Sequence, residues 1–165
     1  MKKIKYSNPL SLLNQKGFSL IELIIILVII GIMIAASSSR LKDITTNARV
    51  GASINQITGD IDQAKTISMS MRSQIQIIFN QNNETYTIYK DGILYNDFPG
   101  SENGIVNLLG DDNNADVDIT SVDLNGSNTL TFDKWGNCLQ SGTIVLNNDR
   151  QIQIKNLTGH WEIIN

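Results

Sequence analysis

The chain has 165 residues and a formal net charge of −3, with 41% hydrophobic and 18% charged residues. This composition is typical of one folded domain and excludes a disordered chain or a basic nucleic-acid coat protein. Cys138 is the only cysteine and His160 the only histidine, which excludes a disulfide framework and a zinc module. A Ser-His-Asp or Cys-His catalytic site would have to use that one histidine, so the composition points away from most catalytic chemistry. We expect a protein that is not an enzyme.

Charge is divided unevenly along the chain. Residues 1–17 contain four lysines and no acidic residue, whereas the rest of the chain carries 9 basic and 16 acidic residues. A positive tip before an apolar run favours an orientation in which the tip stays in the cytoplasm. The acidic remainder would then lie outside the cell membrane.

The segment Phe18–Ala36 is apolar except for Ser19 and Glu22. As a helix it would span roughly 28 Å at about 1.5 Å per residue, enough to cross a bilayer core of about 30 Å. A cleaved secretory signal is the alternative, because the small residues around Ala36 could form its cleavage site. That alternative predicts a secreted domain cut near Ala36.

Glu22 is the exception within this apolar segment. A carboxylate inside a membrane costs about 3 kcal/mol on insertion scales, so it either reaches the headgroups or pairs with a cation. A cut after Gly17 would place a new α-amine on Phe18, four residues before Glu22. A neighbouring helix, shifted along its axis, could bring that amine to the carboxylate and compensate both charges.

The octapeptide Lys16-Gly17-Phe18-Ser19-Leu20-Ile21-Glu22-Leu23 resembles the processing motif of type IV pilins and pseudopilins. The resemblance implies cleavage between Gly17 and Phe18 by a prepilin peptidase, and N-methylation of Phe18. It also implies assembly with other pilin subunits on an inner-membrane platform, with Glu22 as the assembly charge. The protein would first be a single-pass inner-membrane protein and then part of a filament in the cell envelope. Ser39 stands where many major pilins have a proline.

Beyond Ala36 the apolar residues fall mainly three and four apart, which predicts an amphipathic continuation of one helix from about Phe18 to Met71. The predicted buried stripe contains Leu41, Ile44, Ala48, Ile54, Ile57, Ile61, Ala64, Ser68 and Met71. The charged residues of this segment fall largely off the stripe: Arg40, Lys42, Asp43, Arg49, Asp60, Asp62 and Lys65.

From residue 74 onward the apolar period falls to two, which predicts antiparallel strands joined by tight turns. Strands are predicted over 74–79, 84–89, 129–132, 143–146, 151–156 and 161–164, with weaker signals over 105–109 and 117–124. The expected fold is α+β and pilin-like, with a long N-terminal helix packed on an antiparallel β-sheet. The predicted segments are a leader over 1–17, a transmembrane assembly helix over 18–38, an amphipathic helix over 39–72 and a β head over 73–165.

The C-terminal strands carry a second resemblance, to the GspH/FimT group of minor pilins and pseudopilins. The matching pieces are Phe132–Gly136, Gly142–Leu146, Gln151–Ile154 and Thr158–His160. This resemblance implies a minor subunit of a type II secretion pseudopilus. The alternative is a minor pilin of a type IV pilus, including pili for DNA uptake or adhesion.

An acidic run supplies a weak candidate for a calcium site. Asp112, Asn114, Asp116 and Asp118 place oxygen atoms at alternating positions, and calcium takes six to eight oxygen ligands. The run lacks the glycine and the distal glutamate of an EF-hand loop. We favour a solvated acidic loop and expect no cofactor.

Three features near the C-terminus have ordinary structural explanations. Cys138 is expected to be a buried free thiol, with an intermolecular disulfide as the alternative. Trp135 and Trp161 are expected to pack in the core or at a sheet edge. The few basic residues near His160 lie in an acidic head, so nucleic-acid binding is not expected.

Overall fold

The structure, a computed structural model, describes residues 17–108, 117–147 and 149–164, without the side chains of residues 37–43. By its contacts the chain falls into two compact units, the first ending at Leu41 and the second beginning at Lys42. The secondary structure is one helix followed by short strands. These are α1 (Leu20–Met71), β1 (Ile75–Asn80), β2 (Thr85–Lys90), β3 (Ile93–Leu94), β4 (Ile105–Asn107), β5 (Ile119–Leu124), β6 (Thr129–Phe132), β7 (Gly142–Leu146), β8 (Arg150–Ile154) and β9 (Trp161–Ile164).

The strands form two antiparallel sheets. The first has the order β3-β2-β1-β6, with β4 also paired to β2, and the second has the order β5-β7-β8-β9. The strand pairs are antiparallel. The predicted α+β fold, a helix followed by an antiparallel β head, is confirmed. The short pair β2–β3 was not predicted, and the other strand ends lie within two residues of the predicted ones.

The core of the second unit lies between the helix and the two sheets. One cluster of buried apolar side chains joins Ile54, Ile57 and Ile61 of α1 to residues of both sheets, such as Ile77 of β1 and Ile144 of β7. Alternation along β1 shows how the sequence produces this core. Every second side chain of that strand is buried, as the period of a strand requires.

The buried stripe of α1 is shorter than predicted. Burial runs from Val50 to Ser68, whereas Ile44 is 64% exposed and Met71 is 46% exposed. Ala48 is also exposed, and the side chain of Leu41 lies outside the described residues. Helical spacing alone cannot show where the sheets stop covering the helix.

Asp60 is one of the charged residues predicted to fall largely off the buried stripe, and at this residue the structure differs. Its side chain is buried, with 9% exposure. It lies three residues after Ile57 and one before Ile61, so helical geometry places it at the edge of the buried stripe. A polar partner on the sheet, described below, explains why a carboxylate is found there.

The two ends of α1 have recognisable caps. The carbonyl of Ser19 accepts hydrogen bonds from the backbone N–H groups of Glu22 and Leu23, at 3.0 and 3.2 Å. At the other end, Arg72 has φ = +51° and the N–H of Ser73 donates to the carbonyl of Ser68 at 3.2 Å. A left-handed residue followed by this bond is the Schellman arrangement, which is usually built on glycine.

Candidate functional site

The predicted processing site lies just before the helix. Gly17, Phe18 and Ser19 precede α1, which begins at Leu20. The bond between Gly17 and Phe18 therefore has no helical hydrogen bonds to break before cleavage. A side chain at Gly17 would meet no other atom within 4 Å, and Phe18 is 73% exposed.

Glu22 lies in the first turn of α1, four residues after Phe18. A carboxylate at this end of a helix interacts favourably with the positive end of the helix dipole. Its side chain is exposed, and no other charged residue lies between Gly17 and Ala36. A pairing of Glu22 with an amine of another subunit is not tested by a single chain and stays a prediction.

The side chains around Glu22 form an exposed apolar surface. Every residue from Gly17 to Ala36 is exposed, and the helix is apolar on all sides, which is typical of segments that are buried by a partner or by lipid. The large exposed apolar residues are Phe18, Leu20, Ile21, Leu23, Ile24, Ile25, Ile26, Leu27, Val28, Ile29, Ile30, Ile32, Met33 and Ile34.

In the described part of the chain, no helix combines the length and the apolar character needed to cross a membrane. The predicted transmembrane helix over 18–38 is therefore not confirmed.

A buried polar pair connects α1 to the first sheet. The hydroxyl of Tyr86 on β2 donates a 2.6 Å hydrogen bond to Oδ2 of Asp60. Burial raises the pKa of Asp60, while the hydrogen bond from Tyr86 acts in the opposite direction. Burial and the neighbouring carboxylate both raise the pKa of Tyr86. The pair satisfies two polar groups in the core and orients the helix on the sheet.

The calcium candidates are mostly outside the described residues, which include Asp118 but not Asp112, Asn114 or Asp116. Asp118 is exposed, and its Oδ2 accepts a 2.9 Å hydrogen bond from the hydroxyl of Thr120. Among the described residues, no three cysteine, histidine or acidic side chains come together as a metal site. Calcium binding stays untested.

Glu84 is a residue that the sequence analysis missed. Its carboxylate accepts a hydrogen bond from the N–H of Ile119, and its carbonyl accepts one from the N–H of Leu108. Burial raises the pKa of Glu84. These bonds tie the chain on both sides of the acidic run to the β1–β2 hairpin. A turn glutamate carries no sequence signal that distinguishes it from a solvated one.

Cys138 is buried and free, as predicted. Its thiol donates to the carbonyl of Gln140 at 3.1 Å, and burial raises its pKa. A thiol in this position is shielded from oxidants and from other molecules. An intermolecular disulfide would require the second unit to open.

The two tryptophans differ. Trp161 is half-buried against the core, and its indole N–H donates to Oδ2 of Asp62 at 3.2 Å. Trp135 is 61% exposed and lies in a turn outside the strands, so the prediction that it packs in the core or at a sheet edge is wrong. His160 is exposed, and the nearby Lys155 pairs with Glu162 at 3.5 Å.

Comparison with known proteins supports the N-terminal part of this reading. The family model described as the prokaryotic N-terminal methylation motif matches residues 12–38. The match contains Gly17, Phe18 and Glu22, and it confirms the first resemblance predicted from the sequence. No curated protein and no solved structure matches the chain. The second resemblance, drawn from the C-terminal strands, lies outside the matched residues and stays a prediction.

Proposed function

We propose that this chain is a minor subunit of a type II secretion pseudopilus. The N-terminal methylation motif supports the broader assignment, a type IV pilin-like protein that is processed by a prepilin peptidase. Its work is assembly rather than catalysis, in keeping with the structural role of the family that carries this motif. In this proposal the leader over 1–17 is removed, Phe18 is methylated, and the helix over 18–38 anchors the subunit in the inner membrane with its head outside.

The observation that carries the proposal is the exposed apolar surface from Phe18 to Ala36 with Glu22 as its single charge. An apolar surface of this extent needs lipid before assembly and neighbouring helices after it. In the filament, the apolar segments of several subunits would bury one another. The assembly platform and the other pilin subunits are the proposed partners.

The charge of Glu22 then has a definite role. In a filament the carboxylate would pair with the Phe18 amine of a neighbouring subunit and fix the axial register of the two helices. Two unit charges about 4 Å apart gain roughly 4 kcal/mol at an effective dielectric constant of about 20, before desolvation is counted. Leaving one of them buried without its partner costs about 3–5 kcal/mol.

Cleavage is tested by Gly17→Leu in cells that express the peptidase. Because the peptidase must accept the residue before the cut, we expect the variant to keep its leader and to lack the methyl group. Gly31→Leu is the matched control, since a side chain there also meets no other atom, and it should be processed normally. For both variants, mass spectrometry of the N-terminus shows whether the leader is retained and whether the methyl group is present. Normal maturation of Gly17→Leu would contradict the proposed cut site.

Register is tested by Glu22→Leu and Glu22→Asp, expressed beside the partner subunits. We expect Glu22→Leu to be cleaved and retained in the membrane but not incorporated into filaments. Glu22→Asp should be intermediate, because its charge is kept and its reach is one methylene shorter. Cleavage, membrane retention and incorporation are scored separately. Normal incorporation of Glu22→Leu would refute the charge pair while leaving the cleavage site intact.

The alternative functions give different results in the same cells. A mature N-terminus at methylated Phe18 supports the filament subunit, whereas one at Ser37 or later supports the secreted domain cut near Ala36. Deleting the gene should block protein secretion if the subunit belongs to a pseudopilus. Loss of surface pili, adhesion or DNA uptake with secretion intact would instead indicate a type IV pilus.

A further inference from the structure

An exposed cluster of tryptophan and cations lies where α1 ends. Trp135 is 61% exposed. The guanidinium carbon of Arg72 lies 5.9 Å from the centroid of its ring, and the ammonium of Lys134 lies 5.4 Å from it. Both distances allow cation–π attraction. Together with Met69, which is 45% exposed, we name these residues the Trp135 patch.

The turn that carries Trp135 is firmly held. The carboxylate of Asp133 accepts hydrogen bonds from the N–H of Trp135 at 2.8 Å and from the N–H and side-chain amide of Asn137 at 2.9 Å. The bond from the Asn137 side chain is the main cause that lowers the pKa of Asp133. Gly136 has φ = +81°, and a side chain there would collide with Met69. The tryptophan is therefore presented by a turn that is seated on the helix.

In the described part of the chain, the carboxylate of Asp133 accepts hydrogen bonds within the turn and forms no ion pair with the neighbouring cations. In the residues that the structure describes, neither Arg72 nor Lys134 forms an ion pair, whereas Lys155 does. The chain after residue 17 carries 9 basic and 16 acidic residues. Within the described residues, two cations that form no ion pair therefore lie against one exposed aromatic ring of an acidic head.

Arg72 occupies a position that favours glycine. It is the first residue after α1, and its φ of +51° lies in the left-handed region, where glycine is favoured over residues that carry a side chain. The same conformation places the guanidinium over the Trp135 ring. Arginine at this position adds a cation to the surface cluster, although glycine would cap the helix more favourably.

We propose that the Trp135 patch binds an acidic, partly apolar segment of a partner protein. Tryptophan, arginine and methionine are the residue types enriched in protein interfaces, and tryptophan and arginine contribute most to binding. The unpaired cations complement carboxylates, and the ring and Met69 complement an apolar side chain. Nucleic acid fits less well, because its affinity depends on neutralising several phosphates. This binding role goes beyond the proposed role in filament assembly and does not depend on it.

The test uses the full-length protein in non-ionic detergent and a fluorescently labelled peptide of glutamate and leucine. A matched peptide has lysine in place of glutamate, and a single-stranded oligonucleotide is the third probe. Fluorescence anisotropy measures the affinity of each. We expect the acidic peptide to bind most tightly, and to bind more weakly as salt screens the charges.

Four variants test whether the acidic peptide binds at the Trp135 patch: Trp135→Ala, Lys134→Gln, Lys155→Gln and Arg72→Gly. Trp135→Ala should weaken peptide binding by more than about tenfold, as loss of a central interface tryptophan does. Lys134→Gln should weaken it by up to about fivefold, because it removes one exposed ion pair with a peptide carboxylate. Lys155→Gln changes the net charge equally, but its cation is already paired, so binding should be unchanged.

Arg72→Gly separates binding from folding. Glycine suits the left-handed position, so the melting temperature should stay the same or rise. Peptide affinity should fall by up to about fivefold, because one exposed ion pair with the peptide is lost. Four results would overturn the proposal: no binding of the acidic peptide, equal binding of the lysine peptide, equal losses in Lys134→Gln and Lys155→Gln, or tighter binding of the oligonucleotide through Trp135.

Discussion

The buried hydrogen bond between Tyr86 and Asp60 can be dissected by three substitutions. Tyr86→Phe leaves the carboxylate in the core without its donor, and Asp60→Ala leaves the hydroxyl without its acceptor. Asp60→Asn keeps an oxygen that can accept the 2.6 Å bond from Tyr86 and removes the charge. These variants separate the value of the hydrogen bond from the cost of the buried charge.

The structure sets the expected magnitudes. Tyr86 is 1% exposed, so water cannot replace the lost partner. Hydrogen bonds to charged groups contribute about 1.5–3 kcal/mol, and an orphaned buried hydroxyl costs about 1–3 kcal/mol. We expect Tyr86→Phe and Asp60→Ala each to lower the free energy of unfolding by about 2 kcal/mol. Asp60→Asn should lie within about 1 kcal/mol of the wild type or be more stable, because it avoids desolvating a charge.

The pH dependence follows from the raised pKa of Asp60. A raised folded-state pKa means that the folded protein holds this proton more tightly than the unfolded chain. The resulting stabilisation is complete below the unfolded value of about 3.9. It is lost as pH rises through the folded pKa. Asp60→Asn lacks this titration, so its stability relative to wild type should rise across that window and then level off.

The assay is thermal and urea unfolding of the fragment Lys42–Asn165, followed by circular dichroism at several pH values. A loss of about 2 kcal/mol corresponds to a fall in Tm of roughly 5–10 °C for a domain of this size. If Tyr86→Phe is as stable as wild type, the bond contributes nothing. If Asp60→Asn loses as much stability as Asp60→Ala at pH 7, the charge itself is required and the reasoning fails.

Two further predictions concern calcium binding by the acidic run and the reactivity of Cys138. Because we favour a solvated acidic loop, millimolar calcium should leave the Tm of the same fragment unchanged. A rise that disappears in Asp116→Ala would instead establish the calcium site. Cys138 is buried with a raised pKa, so a thiol reagent should modify it only as fast as the fold opens. Rapid modification at neutral pH, without unfolding, would contradict its burial.

Local sequence signals were sufficient to predict the N-terminal methylation motif and most of the helix and strands. The octapeptide from Lys16 to Leu23 can be recognised from the sequence because its residues are contiguous and a peptidase binds a short stretch of chain. Strands β6 and β9 begin and end where alternation predicts. The spacing of apolar residues is a local property of the sequence, and packing did not change the bounds of these two strands. Burial of Cys138 also followed from its type, since a free cysteine usually behaves as a small apolar residue.

Features that depend on distant partners were decided only by the tertiary structure. In the sequence Asp60 falls off the apolar stripe, and only the fold places the hydroxyl of Tyr86 on β2 against its carboxylate. Trp135 was expected in the core or at a sheet edge. Instead, a turn held by Asp133 presents it to solvent beside Arg72, which is distant in sequence. Periodicity shows which side of an element is apolar. Whether that side is covered, and by which group, depends on chain segments tens of residues away, and only the packed fold brings them together.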